Sequence, residues 1–366
     1  MNKSCNQIKY IVTINPKDIL SDLQVFMVDG TVPGWSPKQF DYCWDHHCSD
    51  GADIQIDEMP FPEENSSFLM SHAIESNSYN VNHEHTTKVK QAIVTAQFDA
   101  DACCAAAFLC LDGKLLNQTH DLALVPKRKV SSFDCLRAIS YDCDHLGVPI
   151  DLADLAYFAE QAVASLAVTG NNLKRNMGLS QDRKLWTDKQ FLDYSSCLFE
   201  IGVKWLVDAS SGIRAYPGES NEAINAGYWQ QIETDKLMLY ESGRIKIFDG
   251  FVTCDWQGIG KDINIRSFVR AINEFIMPNQ SIKPQTVVIM DHKNLGHRYR
   301  LSCIPNHPCF EDFNYTAGTL QRLSAAEYQK AGNTSINYNW GGRRTVAGST
   351  RLVPSLLSLD EVIKLI

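Results

Sequence analysis

The sequence lacks the features that define several large classes of protein. It contains no apolar run of about 18 residues, the length that a membrane-spanning helix requires. The segment after Met1 has no long apolar core of the kind found in secretory signals. Internal repeats and low-complexity tracts are absent as well. We therefore expect a globular, cytoplasmic protein that is not associated with a membrane.

Positive charge is also scarce. The chain has 34 lysines and arginines against 43 aspartates and glutamates, a net charge of −9 and an isoelectric point of about 5.6. Because proteins that bind long duplex nucleic acid neutralise its phosphates with basic side chains, this balance argues against broad binding of that kind. A small phosphorylated substrate or a short oligonucleotide, held by a few local arginines, is compatible with the charge, and so is a homo-oligomer.

The cysteines do not form a recognisable framework. No Cys-x-x-Cys pair occurs among the 12 cysteines, so a structural zinc ribbon is not expected. Most of them lie in apolar runs, and Cys103-Cys104 lies among alanines, which is typical of buried, reduced thiols. With 366 residues, of which 44% are hydrophobic and 21% charged, the chain is long enough for two domains. A change of pattern near residue 200 places them at 1–200 and 201–366.

Acidic residues follow three apolar runs in the first half of the chain. Asp29 closes the run Val25–Val28, Asp45 opens the triplet Asp45-His46-His47, and Asp99-Ala100-Asp101 follows the run that begins at Ala92. Such runs indicate buried strands, and the carboxyl ends of strands in a parallel sheet share one edge, where α/β enzymes keep their sites. Carboxylates together with imidazoles suit Mn²⁺, Zn²⁺ or Fe²⁺ better than Ca²⁺. The sequence therefore predicts one metal site at this edge.

At these residues the sequence resembles the DHH phosphoesterase superfamily, which includes nano-RNases, exonucleases, cyclic-dinucleotide phosphodiesterases and manganese pyrophosphatases. Asp29 is similar to the lone strand-end acid of that family, Asp45-His46-His47 to its triplet, and Asp99-Ala100-Asp101 to its D-x-D motif. The order is permuted, because here the D-x-D motif follows the triplet. Thr95 stands where the family usually has a histidine, four residues before the D-x-D motif.

The resemblance implies hydrolysis of a small phosphorylated substrate, a nucleotide or a short oligonucleotide, with Mn²⁺ or another divalent metal as a pair of ions. It also implies a fourth acid, for which Asp142 and Asp144 are both candidates and His145 favours Asp144. The implied metal ligands are Asp29, Asp45, His46, Asp99, Asp101 and Asp144, and the implied catalytic residues are His46 and His47. One of the two histidines would bind metal or contact the phosphate, and the other would support it.

A glycine-rich segment near the C-terminus is the second motif. Adjacent glycines let backbone amides approach an anion, and arginine forks suit phosphate. The segment resembles the substrate-binding motif of the small C-terminal (DHHA1) domain that accompanies DHH nucleases, without that motif's histidine. The implied substrate-binding residues are Gly341, Gly342, Arg343, Arg344 and Arg351. The resemblance places the substrate in an interdomain cleft.

The overall pattern predicts an α/β protein, with a parallel-sheet α/β/α catalytic domain and a smaller, mixed α+β C-terminal domain. Strands are expected at 8–13, 23–29, 54–56, 203–207, 245–248 and 286–290, and helices at 102–111, 131–140, 152–168 and 265–276. Asp151 is expected to cap the third of these helices, and Ser358 and Glu361 form a capping box for a final short helix.

Other interpretations of the same residues stay open. A strand-end aspartate can cap the helix that follows it instead of binding metal, and an Asp-His-His triplet also arises by chance. The glycine and arginine pair can be an exposed turn with solvated side chains. Two other function classes are a non-catalytic, nucleotide-binding relative with a degraded metal site and a metal-dependent hydrolase of a non-phosphate substrate.

Overall fold

The computed structural model describes residues 8–38, 41–45, 90–96, 98–180, 183–219, 222–260, 263–292, 295–305, 307–310, 312–332, 335–342, 344–350 and 353–366. It is an α/β structure with a parallel sheet and a mixed sheet, as the sequence predicts. The chain folds into two compact units, the first being Met1–Ser180 with Trp186–Ala226 and the second Gln181–Leu185 with Gly227–Ile366. The predicted strand at 54–56 lies outside the described residues. In the described part of the chain no helix is long and apolar enough to cross a membrane.

The strands and helices follow one another in mixed order. The strands are β1 (Ile8–Val12), β2 (Leu23–Val28), β3 (Tyr42–Trp44), β4 (Lys90–Thr95), β5 (Thr119–His120), β6 (Val130–Ser131), β7 (Ile245–Phe248), β8 (Phe251–Asp255), β9 (Gln285–Asp291), β10 (His297–Cys303), β11 (Gly341–Gly342) and β12 (Val346–Gly348). The α-helices are α1 (Ala100–Cys110), α2 (Gly113–Leu116), α3 (Ser132–His145), α4 (Ala156–Asn176), α5 (Asp188–Ser210), α6 (Glu222–Glu241), α7 (Ile265–Ala271), α8 (Thr319–Ala331) and α9 (Leu359–Leu365).

The first unit is built on a four-stranded sheet with the order β1-β4-β2-β3, in which every pair is parallel. Alternate side chains of β2 enter two different apolar clusters: Phe26 and Val28 pack against the helices, and Val25 and Met27 pack with Val32 on the other face. A strand buried on both faces needs apolar residues at successive positions, which explains the run at Val25–Val28. Burial of each side chain of this size contributes about 1.5–3 kcal/mol to the stability of the folded state.

Helix α1 begins directly after the sheet and packs closely against its neighbours. The Asp99 carboxylate accepts a hydrogen bond of 3.0 Å from the Ala102 amide and caps the helix. Small residues then let α1 approach α3 and α5: a Cβ added at Gly202 on α5 would lie 2.6 Å from the Cys103 sulfur. The glycine therefore makes room for the cysteine, and the position of α1 behind the sheet is fixed.

Two sequence predictions need correction in the first unit, the strand at 203–207 and the cap by Asp151. The strand expected at 203–207 is part of helix α5, whose Thr187 and Gln190 form a capping box. Four buried side chains follow one another at helical spacing along α5: Leu198, Phe199, Val203 and Leu206. A short apolar run fits a buried helix as well as a strand, so the run alone did not distinguish the two. Residue 200 lies inside this helix, and the first compact unit ends at Ala226.

Asp151 does not cap the helix that follows it. It lies within a 3₁₀ helix, Ile150–Leu155, and the cap position before that helix is Pro149. The Asp151 carboxylate accepts a hydrogen bond of 2.6 Å from the Arg137 guanidinium. Leu152 has non-helical torsion angles, so α4 starts only at Ala156. The acid is used for an ion pair with α3 because the chain turns once more before the long helix begins.

The second unit contains a six-stranded mixed sheet with the order β11-β12-β10-β9-β8-β7. One apolar cluster, which includes Tyr299 and Leu323, lies on one face, and a second, which includes Val288 and Phe268, lies on the other. The strands predicted at 245–248 and 286–290 are confirmed, and so is the capping box of Ser358 and Glu361. The helix predicted at 265–276 is α7 followed by a π-helical turn, Ile272–Ile276.

Candidate metal centre

Asp29 occupies the end of β2 in an unusual backbone conformation. Its φ is 48°, in the left-handed region, and the next residue is Gly30. Aspartate and asparagine tolerate this region better than other residues with a Cβ, because their short polar side chains bond locally. The Asp29 side chain is buried, with 3% of the residue exposed. A charged residue with a strained backbone at the carboxyl edge of a parallel sheet is typical of a functional position.

Asp101 lies in the first turn of α1 and is also buried. The hydroxyl of Ser140, a fully buried residue of α3, donates a hydrogen bond to its Oδ1 atom. A carboxylate in the first turn of a helix interacts favourably with the positive end of the helix dipole. Ser140 therefore fixes the orientation of a carboxylate that the helix already favours, in the way that outer partners orient metal ligands.

Asp144 lies in the last turn of α3, four residues after Ser140, so the helix presents both side chains on one face. Two features of its position are unfavourable. Its residue is only 6% exposed, and a negative charge at a helix C-terminus opposes the helix dipole, at a cost of about 0.3–1 kcal/mol. A nearby cation would offset both costs.

The fold brings these acids together in two groups that share one residue. Carboxylate oxygens of Asp29, Asp101 and Asp144 all lie within 4.8 Å of one another. The second group has oxygens of Asp99 and Asp144 and the sulfur of Cys143, within the same distance of one another. Asp142 and Asp144 were both candidates for the fourth acid. Among the described residues, Asp144 belongs to both donor groups and Asp142 to neither.

The charge of the first group calls for compensation. Two charged carboxylates at 4.8 Å, the upper limit of these separations, repel each other by about 3.5 kcal/mol at an effective dielectric constant of about 20. Divalent cations that prefer oxygen ligands, such as Mn²⁺ and Mg²⁺, fit a set of three buried carboxylates. The donor set therefore suits a divalent metal ion.

Nearby thiols respond to the same concentration of negative charge. Burial raises the pKa of Cys143 well above its usual range, and the charges of Asp99 and Asp101 add to the rise. Burial likewise raises the pKa of Cys103, with Asp99, Asp29 and Asp101 adding to it. Without a cation at the site, these thiols are therefore protonated at neutral pH.

Asp45 lies at the end of β3, next to the strand that carries Asp29. Val28 pairs with Trp44 in the parallel register, so the two acids follow adjacent positions of neighbouring strands. The backbone amide and the hydroxyl of Thr31 both donate to Oδ2 of Asp45, at 2.6 Å each. Asp45 is buried and belongs to neither donor group of the described residues. His46 and His47 lie outside the described residues.

The sequence reasoning missed Cys143 and Ser140 as parts of this centre. Both lie on α3 close to Asp144, and Ser140 shares its helix face. Spacing along α3 was the signal for the serine. Cys143 had no comparable signal, because a cysteine beside two acids has no defined geometry until α1 is placed against α3.

The glycine-rich segment belongs to the second unit. Gly341–Gly342 form the edge strand β11, paired with β12, and are not a turn. A Cβ on Gly342, whose φ is 152°, would lie 2.3 Å from the Val346 carbonyl oxygen, so glycine is required there. Nη1 of Arg344 donates to the Phe310 carbonyl at 2.8 Å, and its guanidinium lies 5.4 Å from the Phe310 ring centre. Arg343 and Arg351 lie outside the described residues.

Comparison with known proteins adds little to this geometry. No family model matches the chain, and no curated protein matches it either. Among solved structures, a pGpG-specific phosphodiesterase, PggH from Vibrio cholerae, matches with 8% sequence identity and a TM-score of 0.25. The match covers 56% of this chain and 56% of that one. A similarity at this level defines neither a fold nor an activity for the chain.

Proposed function

We propose that this protein is a metal-dependent phosphoesterase that hydrolyses a small phosphorylated substrate, a nucleotide or a short oligonucleotide, with two divalent ions. One observation carries the proposal: two donor groups share Asp144 at the carboxyl edge of a parallel sheet. A carboxylate common to two donor groups is suited to bridge two metal ions. Two-metal sites of this kind occur in phosphatases and nucleases.

Each acid has its own part in the proposal. Asp29 and Asp101 would hold the first ion, Asp99 would hold the second, and Asp144 would serve both. When bound, two divalent ions offset the negative charge that develops on the phosphoryl oxygens and lower the pKa of a water molecule. Ser140 keeps Asp101 in the orientation needed for binding.

The Asp-His-His triplet extends the centre. Asp45, fixed by two hydrogen bonds from Thr31, is proposed as a further ligand or bridge. One of His46 and His47 is proposed to bind metal or to contact the scissile phosphate as a hydrogen-bond donor. The position of Asp45 at the end of β3, beside the strand that carries Asp29, supports this assignment.

The second unit is proposed to bind the phosphate of the substrate. The residues are Gly341, Gly342, Arg343, Arg344 and Arg351. The extended, glycine-only backbone at Gly342 and the exposed Gly341 support this proposal, since a strand edge without side chains leaves its amides accessible to an anion. The hydrogen bond from Arg344 to the Phe310 carbonyl already restricts the rotamers of the arginine. Less side-chain entropy is therefore lost when the guanidinium binds a phosphate.

The activity test uses purified protein with Mn²⁺ on a panel of a phosphodiester, a linear dinucleotide, a phosphomonoester and a carboxylic ester. We expect metal-dependent turnover of the phosphorus esters. We also expect Asp45→Asn to lower kcat by about 100-fold or more, since it removes a charge worth about 3 kcal/mol from a buried site. Circular dichroism would check that the fold is retained.

Asp41→Asn is the matched control. Asp41 lies just before β3 and accepts hydrogen bonds from the Val25 and Lys38 amides, at 2.9 and 3.0 Å, so its role is structural. It should retain wild-type turnover. Equal activity in Asp45→Asn and wild type would contradict a catalytic triplet. Turnover of the carboxylic ester alone would favour a hydrolase of another class, and absence of both turnover and bound metal would favour a binding protein.

A further inference from the structure

The two donor groups differ in chemistry. The group formed by Asp29, Asp101 and Asp144 offers oxygen only, whereas the group formed by Asp99, Cys143 and Asp144 includes a sulfur. Hard ions such as Mg²⁺ and Mn²⁺ prefer carboxylate oxygens, and thiolate ligands favour softer ions such as Zn²⁺. This chemical difference comes from the sulfur of Cys143, which lies in the described part of the chain.

The packing of two helices holds the Cys143 sulfur beside both carboxylates. Cys143 lies on α3, one residue before Asp144, and Asp99 caps the start of α1. The sulfur and one oxygen of each acid lie within 4.8 Å of one another. Because α1 packs against α3, the sulfur and the two carboxylates meet at one point.

We propose that Cys143 is a thiolate ligand of the second ion, and that the two ion positions are therefore chemically unequal. This inference rests on the proposed function, because it needs a metal centre at these acids. The first position takes Mn²⁺ or Mg²⁺, and the second prefers Zn²⁺, Co²⁺ or Fe²⁺. On binding, the Cys143 thiol releases one proton to solvent and its sulfur forms the bond to the ion.

The test is a titration of the metal-free, reduced protein with Co²⁺, followed by absorption spectroscopy and by calorimetry. A thiolate bound to Co²⁺ gives a charge-transfer band in the near ultraviolet, which carboxylate ligands do not give. We expect this band to saturate at one equivalent, while calorimetry counts two ions. Cys143→Ser should lose the band and keep the first ion, and its Zn²⁺ affinity should fall by about 100-fold or more.

Two other cysteines serve as controls. Cys104→Ser changes a buried thiol on α1, and Cys197→Ser changes an exposed one on α5. Both variants should keep the band. If two Co²⁺ ions bind without a band, or if the band survives in Cys143→Ser, the inference is wrong while the proposed function stands. If no Co²⁺ or Mn²⁺ binds at all, both are wrong.

Discussion

Replacing Asp144 by asparagine is expected to remove both ions and the hydrolytic activity together. Asp144 is the residue common to both donor groups, so the loss of its charge weakens both positions at once. Breaking a buried charge interaction of this kind costs about 3 kcal/mol or more, which corresponds to a decrease in affinity and turnover of at least about 100-fold. Calorimetry with Mn²⁺ and elemental analysis would give the number of bound ions.

Asp142→Asn is the control for this variant. Asp142 lies two residues earlier on α3, on a different face of the helix, and is also buried. Because neither donor group contains it, Asp142→Asn should retain both ions. Metal retained in Asp144→Asn and lost in Asp142→Asn would show that the fourth acid has been assigned to the wrong residue.

Replacing Asp29 by asparagine should make the metal-free protein more stable and should reduce its stabilisation by Mn²⁺. Asparagine has nearly the same shape and tolerates the left-handed backbone at φ 48°, so the main change is the loss of one of three mutually repelling charges. With a chelator present to remove metal, we expect the free energy of unfolding of Asp29→Asn to be about 1–2 kcal/mol higher than that of wild type. Urea denaturation would measure it.

Metal should affect the two proteins differently. A ligand at a hundredfold excess over its dissociation constant stabilises the native state by about 2.7 kcal/mol. Wild-type protein should therefore unfold at a higher temperature with Mn²⁺ than without it, and Asp29→Asn, which keeps only the second donor group, should show a smaller rise. A metal-free Asp29→Asn that is no more stable than wild type would contradict the mutual repulsion of these carboxylates.

Asp29→Ala separates charge from backbone strain. Both substitutions remove the charge, but alanine lacks the polar side chain that makes the left-handed region tolerable, so it should be about 1 kcal/mol less stable than asparagine here. Equal stability of the two variants would mean that the conformation of Asp29 stores no strain.

Much of the first sheet could be predicted from the sequence because its strands are buried on both faces. Val25–Val28 alternates between two apolar clusters, so the run is continuous and the acid that follows must lie at the strand end. The parallel pairing of β2, β3 and β4 then places Asp29, Asp45 and Asp99 at one edge. The order of the strands needed the structure, because sequence order does not fix the order of strands in a sheet.

The remainder depends on contacts between distant segments. The run at Val203–Val207 fits a strand as well as a buried helix, and only its packing with Cys103 and Leu166 settles the choice. Cys143 enters the centre because α3 packs against α1, an arrangement that no local pattern specifies. The adjacent glycines predict a backbone that a ligand can approach closely. Their position on an edge strand of the sheet could not be predicted from the sequence.

The most direct test of the metal centre is diffraction from crystals grown with Mn²⁺, with data collected at the manganese absorption edge. An anomalous peak is predicted at about 2.0–2.3 Å from carboxylate oxygens of Asp29, Asp101 and Asp144, the distance range of metal–carboxylate bonds. A peak at another site, or none at saturating Mn²⁺, would show that these three buried carboxylates do not form a metal centre.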